Sequence, residues 1–397
     1  MSTARVNHLD LLPPPVVATA QTRSLVVGAI FGIVAVIFGI FSPDQFFRSY
    51  LLAYMLWLGV ALGCLAFLMI QHLTGGTWGA VIQRLLEAGS GTMPLMAVLF
   101  VPIVFGMRRL YVWTDASFQG KEAHLKVLSQ HYLNPSGFVI RAVIYFGIWL
   151  TLIFALRSWS REQDNPPVRE VSKLRALSAP GLVLFALSVS FAVIDWVMSL
   201  TPPWISTIYP MIFIAGQGLT ALCFMVMIAT MLYKYQPMST ALKANDVHDL
   251  GKLMLAFTML WAYFSFSQLL IIWSGNLPEE IPFFARRFFG GWQRVGVFLA
   301  LVHFAIPFVL LLSRGFKRNP RRLVKLAVWL FVACYIDLHW YIAPAFHANF
   351  YYHWLDLALP VAMGGLWLAL FFRNLRGRPL LPAYDPRAQI LLEPAHD

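Results

Sequence analysis

Ten long apolar stretches dominate this sequence and restrict the folds open to it. A transmembrane helix needs roughly 20 mostly apolar residues, and the mean hydropathy of the chain is +0.67. Only 12% of its 397 residues are charged, about half the share typical of a soluble domain. The pattern predicts an all-α integral membrane protein with about ten transmembrane helices, at 23–41, 49–72, 92–110, 137–157, 180–201, 207–233, 252–274, 293–313, 323–345 and 354–373.

These stretches are too long and continuous for barrel strands, which would be segments of ~10 alternating residues. The first stretch follows a polar segment with three prolines at 13–15 and lacks a small-residue cleavage site, so we expect a retained helix rather than a cleaved signal peptide. The predicted organisation is an N-terminal tail over 1–22, a transmembrane domain over 23–375 and a C-terminal tail over 376–397.

Basic residues are distributed unevenly along the chain. If ten helices alternate in direction, 21 of the 30 lysines and arginines fall on the side that holds both termini. By the positive-inside rule, both tails are then cytoplasmic. We interpret the formal net charge of +12 as this topology signal and as a contact for anionic lipid headgroups. No base-reading module accompanies the charge, so no nucleic acid partner is expected.

The sequence carries no recognisable signal for a redox cofactor or a metal. Cys64, Cys223 and Cys334 lie singly in different apolar stretches, without the clustered cysteines of iron–sulfur sites or the CxxCH motif of covalent haem. His303 and His339 fall ~6 Å or more apart in depth by the helical rise, which argues against a haem held between them. We expect this chain to bind no cofactor of its own.

A weak internal repeat suggests how the helices are grouped. The same pattern occurs twice: an Ile-Asp pair with a proline seven residues after the aspartate. One copy has Asp195 and Pro202, and the other has Asp337 and Pro344. The two sites are four helices apart, which preserves their orientation. Chance recurrence is one explanation and a parallel repeat is the other. A repeat predicts two four-helix bundles, from helices two to five and six to nine, with the first and last helices peripheral.

Two connecting segments and the C-terminal tail stand out. The segment over 111–136 is amphipathic and aromatic, and we expect it to lie on the outer membrane surface. The segment over 158–179 contains Pro166 and Pro167 and predicts a basic cytoplasmic linker between the two halves. We expect the proline-rich tail after Arg376 to be extended and available to a partner.

Two aspartates lie inside apolar stretches, near their outer ends. A carboxylate in the centre of the hydrocarbon costs about 2.5–3.5 kcal/mol, and Asp195 lies ~9 Å from the outer end of its helix at 1.5 Å per residue. Asp337 has a similar depth. Carboxyls at matching depth suit outward-facing proton exchange; the alternative is a structural hydrogen bond between helices. Arg141 can pair with either aspartate or extend to the surface.

Further titratable groups lie close to Asp337 in sequence. Tyr341 follows it by four residues and shares its helix face, whereas His339 points in another direction. Histidine changes charge near neutral pH, so this set predicts a proton relay. His303 lies one turn before a proline that frees a backbone carbonyl, and it is a further relay candidate.

The seventh helix contributes a short polar set, Ser265, Ser267 and Gln268, within "YFSFSQLLIIW". Hydroxyl and amide groups in a membrane helix either join helices by hydrogen bonds or line a path of water molecules. Both interpretations remain open from the sequence.

Three long stretches resemble one known family. They are "FRSYLLAYMLWLGVALGCLAFLMIQHLTGGTWG" (47–79), "DWVMSLTPPWISTIY" (195–209) and "FSQLLIIWSGNLPEEIP" (266–282). Together they are similar to the ActF subunit of bacterial alternative complex III, a member of the NrfD/polysulfide-reductase-like family of integral membrane proteins. The likeness covers helices two to eight.

The resemblance implies a membrane subunit of a quinol:electron-acceptor oxidoreductase in the bacterial inner membrane, within a respiratory or photosynthetic chain. It implies three kinds of partner: a paralogous NrfD-like membrane subunit, a peripheral iron–sulfur/molybdopterin-like subunit and c-type haem subunits. The peripheral and haem subunits would hold the iron–sulfur clusters and haem c, and quinol would be a ligand of the complex. This chain would be an accessory subunit that conducts protons. Its alternatives are a purely structural anchor and a quinone-binding subunit.

Carried over by position, the resemblance assigns Asp195, Asp337 and His339 to an outer half-channel for protons. It places His303 and the set from Ser265 to Gln268 deeper in the membrane.

Overall fold

The computed structural model describes residues 11–115, 131–164, 172–202, 204–382 and residue 391. Every regular element in these ranges is helical. Ten helices are long and apolar enough to cross a membrane: α1 (Val16–Phe41), α2 (Pro43–Thr74), α3 (Thr77–Phe105), α4 (Pro135–Asp164), α5 (Ser172–Leu200), α6 (Tyr209–Leu232), α7 (Ala244–Gly275), α8 (Trp292–Leu312), α9 (Pro320–Ala345) and α10 (Trp354–Arg376).

The prediction of an all-α membrane protein with ten spanning helices is confirmed, although several helices are longer than predicted. Helix α1 begins at Val16 rather than at residue 23, because the small and apolar residues after Pro15 continue the helix. Helix α2 begins at Pro43, a residue suited to the first helical position because it has no N–H to leave unpaired.

The helices are grouped as two four-helix bundles. In the first, α2 to α5 pack in sequence and α5 returns to α2; in the second, α6 to α9 do the same. The bundles meet along α2 and α6, which are therefore the most buried helices. Helix α1 is peripheral, as predicted. Helix α10 is not, because α1 covers one of its faces and α2 the other.

Glycine permits the closest of these helix contacts. A side chain at Gly28 of α1 would meet the backbone of Gly365 in α10, and a side chain at Gly63 of α2 would meet the backbone of Gln217 in α6. Two backbones can approach this closely only where no side chain intervenes. The small-residue contacts therefore fix both the attachment of α1 and the seam between the bundles.

The first and last parts of the chain that the structure describes lie together on one side. The Leu380 N–H donates to the Leu11 carbonyl at 2.8 Å, and Arg376 donates to the Gln21 side chain at 3.0 Å. We call this the terminal side and the other the opposite side. Odd-numbered helices run towards the opposite side.

The segments predicted between helices differ from expectation where the structure describes them. Residues 158–164 belong to α4 and residues 172–179 to α5, so the described residues of the predicted linker over 158–179 are helical. This segment joins two helices of the first bundle rather than the two halves. Residues 165–171, with Pro166 and Pro167, lie outside the described part. Of the predicted surface segment over 111–136, residues 116–130 lie outside the described part. The C-terminal segment is not free up to Pro382, because Leu381 is buried and Arg378 pairs with Glu87 of α3 at 2.9 Å.

A short helix, Ile281–Phe288, covers the second bundle on the opposite side. Its Arg287 is buried and donates to the carbonyls of Phe283, Trp340 and Tyr341 at 2.7 to 3.2 Å. Burial lowers the pKa of Arg287 to about 10, so the guanidinium remains charged at neutral pH. The bonds to the Trp340 and Tyr341 carbonyls fasten this short helix to the end of α9, and the bond to Phe283 lies within the short helix itself.

Candidate functional site

Asp195 forms a complete ion pair inside the first bundle. Arg141 of α4 donates from Nε to Oδ2 at 2.8 Å and from Nη2 to Oδ1 at 3.0 Å. The Tyr145 hydroxyl donates to Oδ2 at 2.8 Å. Two parallel hydrogen bonds are the strongest arrangement for an arginine and a carboxylate. The Asp195 side chain is fully buried and the Arg141 side chain is 20% exposed.

The arginine of this pair is held on its other side as well. The Arg141 guanidinium lies 4.0 Å from the centre of the Tyr132 ring, and Nη1 donates to the Tyr132 carbonyl at 3.0 Å. A carboxylate with both oxygens occupied by fixed donors has little freedom to exchange a proton. Of the two interpretations of Asp195, this geometry favours the structural link between α4 and α5.

Asp337 has a different environment in the second bundle. Trp261 of α7 donates from Nε1 to Oδ2 at 2.9 Å, while the buried Oδ1 has no hydrogen-bond partner. Within the described ranges, no lysine, arginine or histidine forms an ion pair with Asp337. A buried polar atom without a partner is costly and calls for an explanation.

A small cavity lies against this carboxyl. Its volume is about 20 Å³, and its polar lining comes from Asp337, Gln217, Thr220, Cys334 and Tyr341. The Gln217 Oε1 also lacks a partner. A water molecule needs roughly 10–15 Å³ and two to four polar partners. The cavity therefore has the size and lining to hold a water molecule between the two unpaired oxygens.

His303 lies deeper than Asp337, beside the same tryptophan. Its ring lies 3.9 Å from the Trp261 ring, centre to centre, and its Nε2 lies 3.6 Å from the Cys334 sulfur. Nδ1 is buried without a partner. The helix is of the π type over Ala300–Ala305, because Pro307 cannot donate to the carbonyl one turn earlier. The proline thus shapes the helix at His303.

The polar set on α7 does not lie farther from the opposite side than Asp337, so the expectation that it lies deeper in the membrane is wrong. Helix α7 runs from Trp261 towards the opposite side, so Gln268 lies roughly 10 Å nearer that side at 1.5 Å per residue. The Gln268 Oε1 accepts a hydrogen bond from Ser206, in the segment after α5, at 2.6 Å. Ser265 and Ser267 are half-buried. Gln268 joins this segment to α7.

His339 faces a carboxylate that the sequence did not reveal. Its Nε2 lies 3.7 Å from Oδ2 of Asp356, an ion-pair distance beyond hydrogen-bond length. Asp356 is otherwise well supported, because Ser49 donates to Oδ1 at 2.5 Å and the His353 N–H donates to Oδ2 at 2.8 Å. The signal available in the sequence was the His353-x-x-Asp356 spacing, since such a pair closes a capping box at a helix start.

The relay residues fall into separate groups. Asp195 belongs to the first bundle and Asp337 to the second, and they share no hydrogen-bond partner in the described part of the chain. Asp337 and His303 both contact Trp261, and Asp337 and Tyr341 line the small cavity, whereas His339 does not. Among the described residues, no three histidine, cysteine or acidic side chains are close enough to hold a metal ion.

These features define a class: an all-α, multi-pass membrane protein with two four-helix bundles and buried titratable groups in each. Comparison with protein-family models and with curated proteins gave no match.

Proposed function

We propose that this chain is an accessory membrane subunit of a quinol:electron-acceptor oxidoreductase of the alternative complex III type, and that it conducts protons through its second bundle. The proposal joins two independent lines of support. The three stretches similar to ActF suggest the complex. The unpaired carboxyl oxygen of Asp337, facing a water-sized cavity, supports the proton role and is the observation that carries it.

The proposed path runs through groups that can pass a proton by small rearrangements. Asp337 exchanges a proton with a water molecule in the cavity, and the Tyr341 hydroxyl continues the path towards the opposite side. His303, with an unpaired Nδ1, receives protons from deeper in the bundle. Oxidation of a quinol releases protons, so such a path next to a redox centre has a chemical purpose.

The redox chemistry is assigned to partners in this proposal. Haem c and iron–sulfur clusters belong to peripheral subunits, and a paralogous membrane subunit accompanies this chain in a bacterial inner membrane with both termini cytoplasmic. This chain supplies neither electrons nor a catalytic residue.

A purely structural anchor is the second candidate, and the Asp195–Arg141 pair favours it. If Asp337 were likewise only a link between α7 and α9, through its bond from Trp261, the chain would hold the redox subunits without conducting protons.

Purification from native membranes tests membership of the complex. A tagged copy of this chain should co-purify with c-type haem, seen in the absorption spectrum, and with the paralogous subunit, seen by mass spectrometry. The Asp337→Asn variant should co-purify with the same haem content, because asparagine still accepts the hydrogen bond from Trp261. A chain that purifies alone, without haem, would contradict the proposal.

A further inference from the structure

A large groove opens beside α1. Its volume is about 1300 Å³, and its walls come from α1, α8, α9 and α10, with Leu56 and Trp57 of α2 also in its lining. Most of the lining consists of apolar side chains such as Phe331, Val332 and Leu368. The groove exceeds the roughly 300–1,000 Å³ of ordinary ligand pockets, so it has room for a molecule larger than a typical small ligand.

One charged side chain of α1, Arg23, lines this groove at an unusual depth. Gly28 of α1 packs against Gly365, which lies in the middle of α10. Arg23 precedes Gly28 by five residues, so its Cα lies ~7.5 Å from this middle level, towards the terminal side, at 1.5 Å per residue. Half of the hydrocarbon core is about 15 Å thick. The backbone of Arg23 therefore lies inside the hydrocarbon.

The protein supplies no countercharge for Arg23. Its side chain is exposed, and none of the acidic side chains that the structure describes forms an ion pair with it. A cation at this depth is costly unless it meets an anion or reaches the interface. Helical side chains tilt towards the N-terminus of their helix, which for α1 is the terminal side. The guanidinium is thus directed towards the headgroup region of the terminal-side leaflet.

Two further cations lie on the walls of the groove by their helix register. Lys325 precedes Val332 by seven residues, or about two turns, so both share one face of α9. Arg376 follows Gly365 by eleven residues, or about three turns, on one face of α10. The Arg376 guanidinium donates to the Gln21 side chain of α1 at 3.0 Å, as this placement requires. Cations from three helices therefore border the terminal-side end of the groove.

The charges at this end of the groove have one sign. The acidic residues in α1, α8, α9 and α10 are Asp337 and Asp356, both in the halves nearer the opposite side. The halves nearer the terminal side carry six basic residues and no acidic one: Arg23, Arg321, Arg322, Lys325, Arg373 and Arg376. The net charge of the whole chain does not locate a lipid, but this local excess marks one end of one groove as a site for an anion.

We infer that the groove binds one anionic glycerophospholipid from the terminal-side leaflet, with its phosphate at Arg23 and its two acyl chains along the apolar walls. The hydrocarbon of one leaflet is about 15 Å deep, so these chains reach the level of Val332 and Gly365. Helix α1 packs mainly against α10. The lipid links α1 to α9 across the groove and closes the open side of this attachment.

Other occupants fit the groove less well. An apolar transmembrane helix of a partner would fill the walls but leave Arg23 without an anion. A free phosphate ion would pair with Arg23 but leave the apolar walls uncovered. An anionic lipid satisfies both parts of the groove at once, because arginine binds phosphate oxygens by strong charge-assisted hydrogen bonds.

Photolabelling tests where the acyl chains lie. The probe is phosphatidylglycerol with a diazirine at the end of one acyl chain, and the full chain is placed in phosphatidylcholine vesicles. Labelled peptides are mapped by mass spectrometry, and we expect label between residues 331 and 336 or between 360 and 368. Val332→Trp should abolish this label by filling the groove, whereas Val143→Trp on α4 should not, although both valines are exposed, by 51% and 66%.

The contact with the phosphate is tested at the two ends of the groove. Arg23→Gln should weaken labelling about tenfold, which corresponds to about 1.4 kcal/mol, whereas Arg23→Lys should retain most of it because the charge remains. Arg294→Gln, at the opposite-side end of the lining, should leave labelling unchanged. If Arg294→Gln weakens labelling and Arg23→Gln does not, the lipid enters from the other leaflet and the inference is wrong.

Competition separates a specific site from ordinary contact with the bilayer. Unlabelled phosphatidylglycerol should displace the probe, although phosphatidylcholine is already present in excess. Label that resists both this competition and Arg23→Gln comes from bulk lipid and overturns the inference, as does the absence of label on these walls. Displacement by inorganic phosphate would indicate a site for a free anion instead. Because the full chain is labelled with or without its partners, the result does not depend on the proposed function.

Discussion

Removing Arg141 should cost far more stability than removing an exposed arginine, because Asp195 would be left charged in a dry bundle. Each hydrogen bond to a charged group contributes about 1.5–3 kcal/mol net, and breaking a buried pair by removing one partner costs about 3–5 kcal/mol. The Arg141 side chain is 20% exposed, so water compensates in part, and Tyr145 still donates to the carboxylate. For Arg141→Gln we expect a loss of about 3 kcal/mol in the free energy of unfolding.

The chain provides a matched control for this substitution. Arg109 pairs with Asp44 at 2.5 Å, but their side chains are 46% and 59% exposed, so Arg109→Gln should cost at most about 1 kcal/mol. The measurement is reversible unfolding in mixed micelles. Adding Asp195→Asn to Arg141→Gln should recover part of the loss, since no charge then remains buried. If Arg141→Gln costs no more than Arg109→Gln, or if Asp195→Asn recovers nothing, the pair is not the structural link described here.

Three further predictions concern packing, the C-terminal contact and pH. Gly365→Val should release α1 and make it sensitive to proteolysis, whereas Gly147→Ala, which meets no neighbouring atom within 4 Å, should stabilise α4 by up to about 1 kcal/mol in unfolding. Arg378→Gln should lower the melting temperature by removing a partner of a buried glutamate, whereas exposed Arg373→Gln should not. Burial lowers the pKa of His347 below its ordinary value of 6.5. The unfolded chain therefore binds more protons than the folded one, and stability falls as pH drops below about 6.5. The NMR titration midpoint of His347 should lie below 6.5, and a midpoint above 6.5 would contradict the reasoning.

The sequence predicted the fold well because hydrophobic length is a direct physical constraint on a membrane protein. Ten apolar stretches predicted ten helices. The repeat around Asp195 and Asp337 predicted their grouping in two bundles. Helix ends were less accurate. Helices α1 and α2 begin at Val16 and Pro43, before the stretches that hydropathy marks, because a helix continues beyond the apolar stretch wherever its backbone remains hydrogen-bonded.

The site was less predictable because a sequence does not say which helices face each other. Arg141 could be paired with Asp195 only once α4 and α5 were seen together. Asp356 was missed because it lies at a helix start, where an acidic residue is usually only a cap, and its contact with His339 depends on how α9 and α10 pack. Gln268 was placed too deep because its depth was taken from the resemblance rather than from its position near the end of α7. Its bond with Ser206 could not be predicted, because Ser206 lies in a loop that no pattern links to α7.

The number of protons moved per electron shows whether Asp337 exchanges protons while Asp195 only holds helices together. The complex is reconstituted in vesicles, supplied with a quinol and an electron acceptor, and followed with a pH-sensitive dye, with haem content as the control for assembly. We expect Asp337→Asn to lower the number of protons per electron, while assembled Asp195→Asn retains the wild-type number. An assembled Asp337→Asn complex that moves as many protons per electron as the wild type would contradict it.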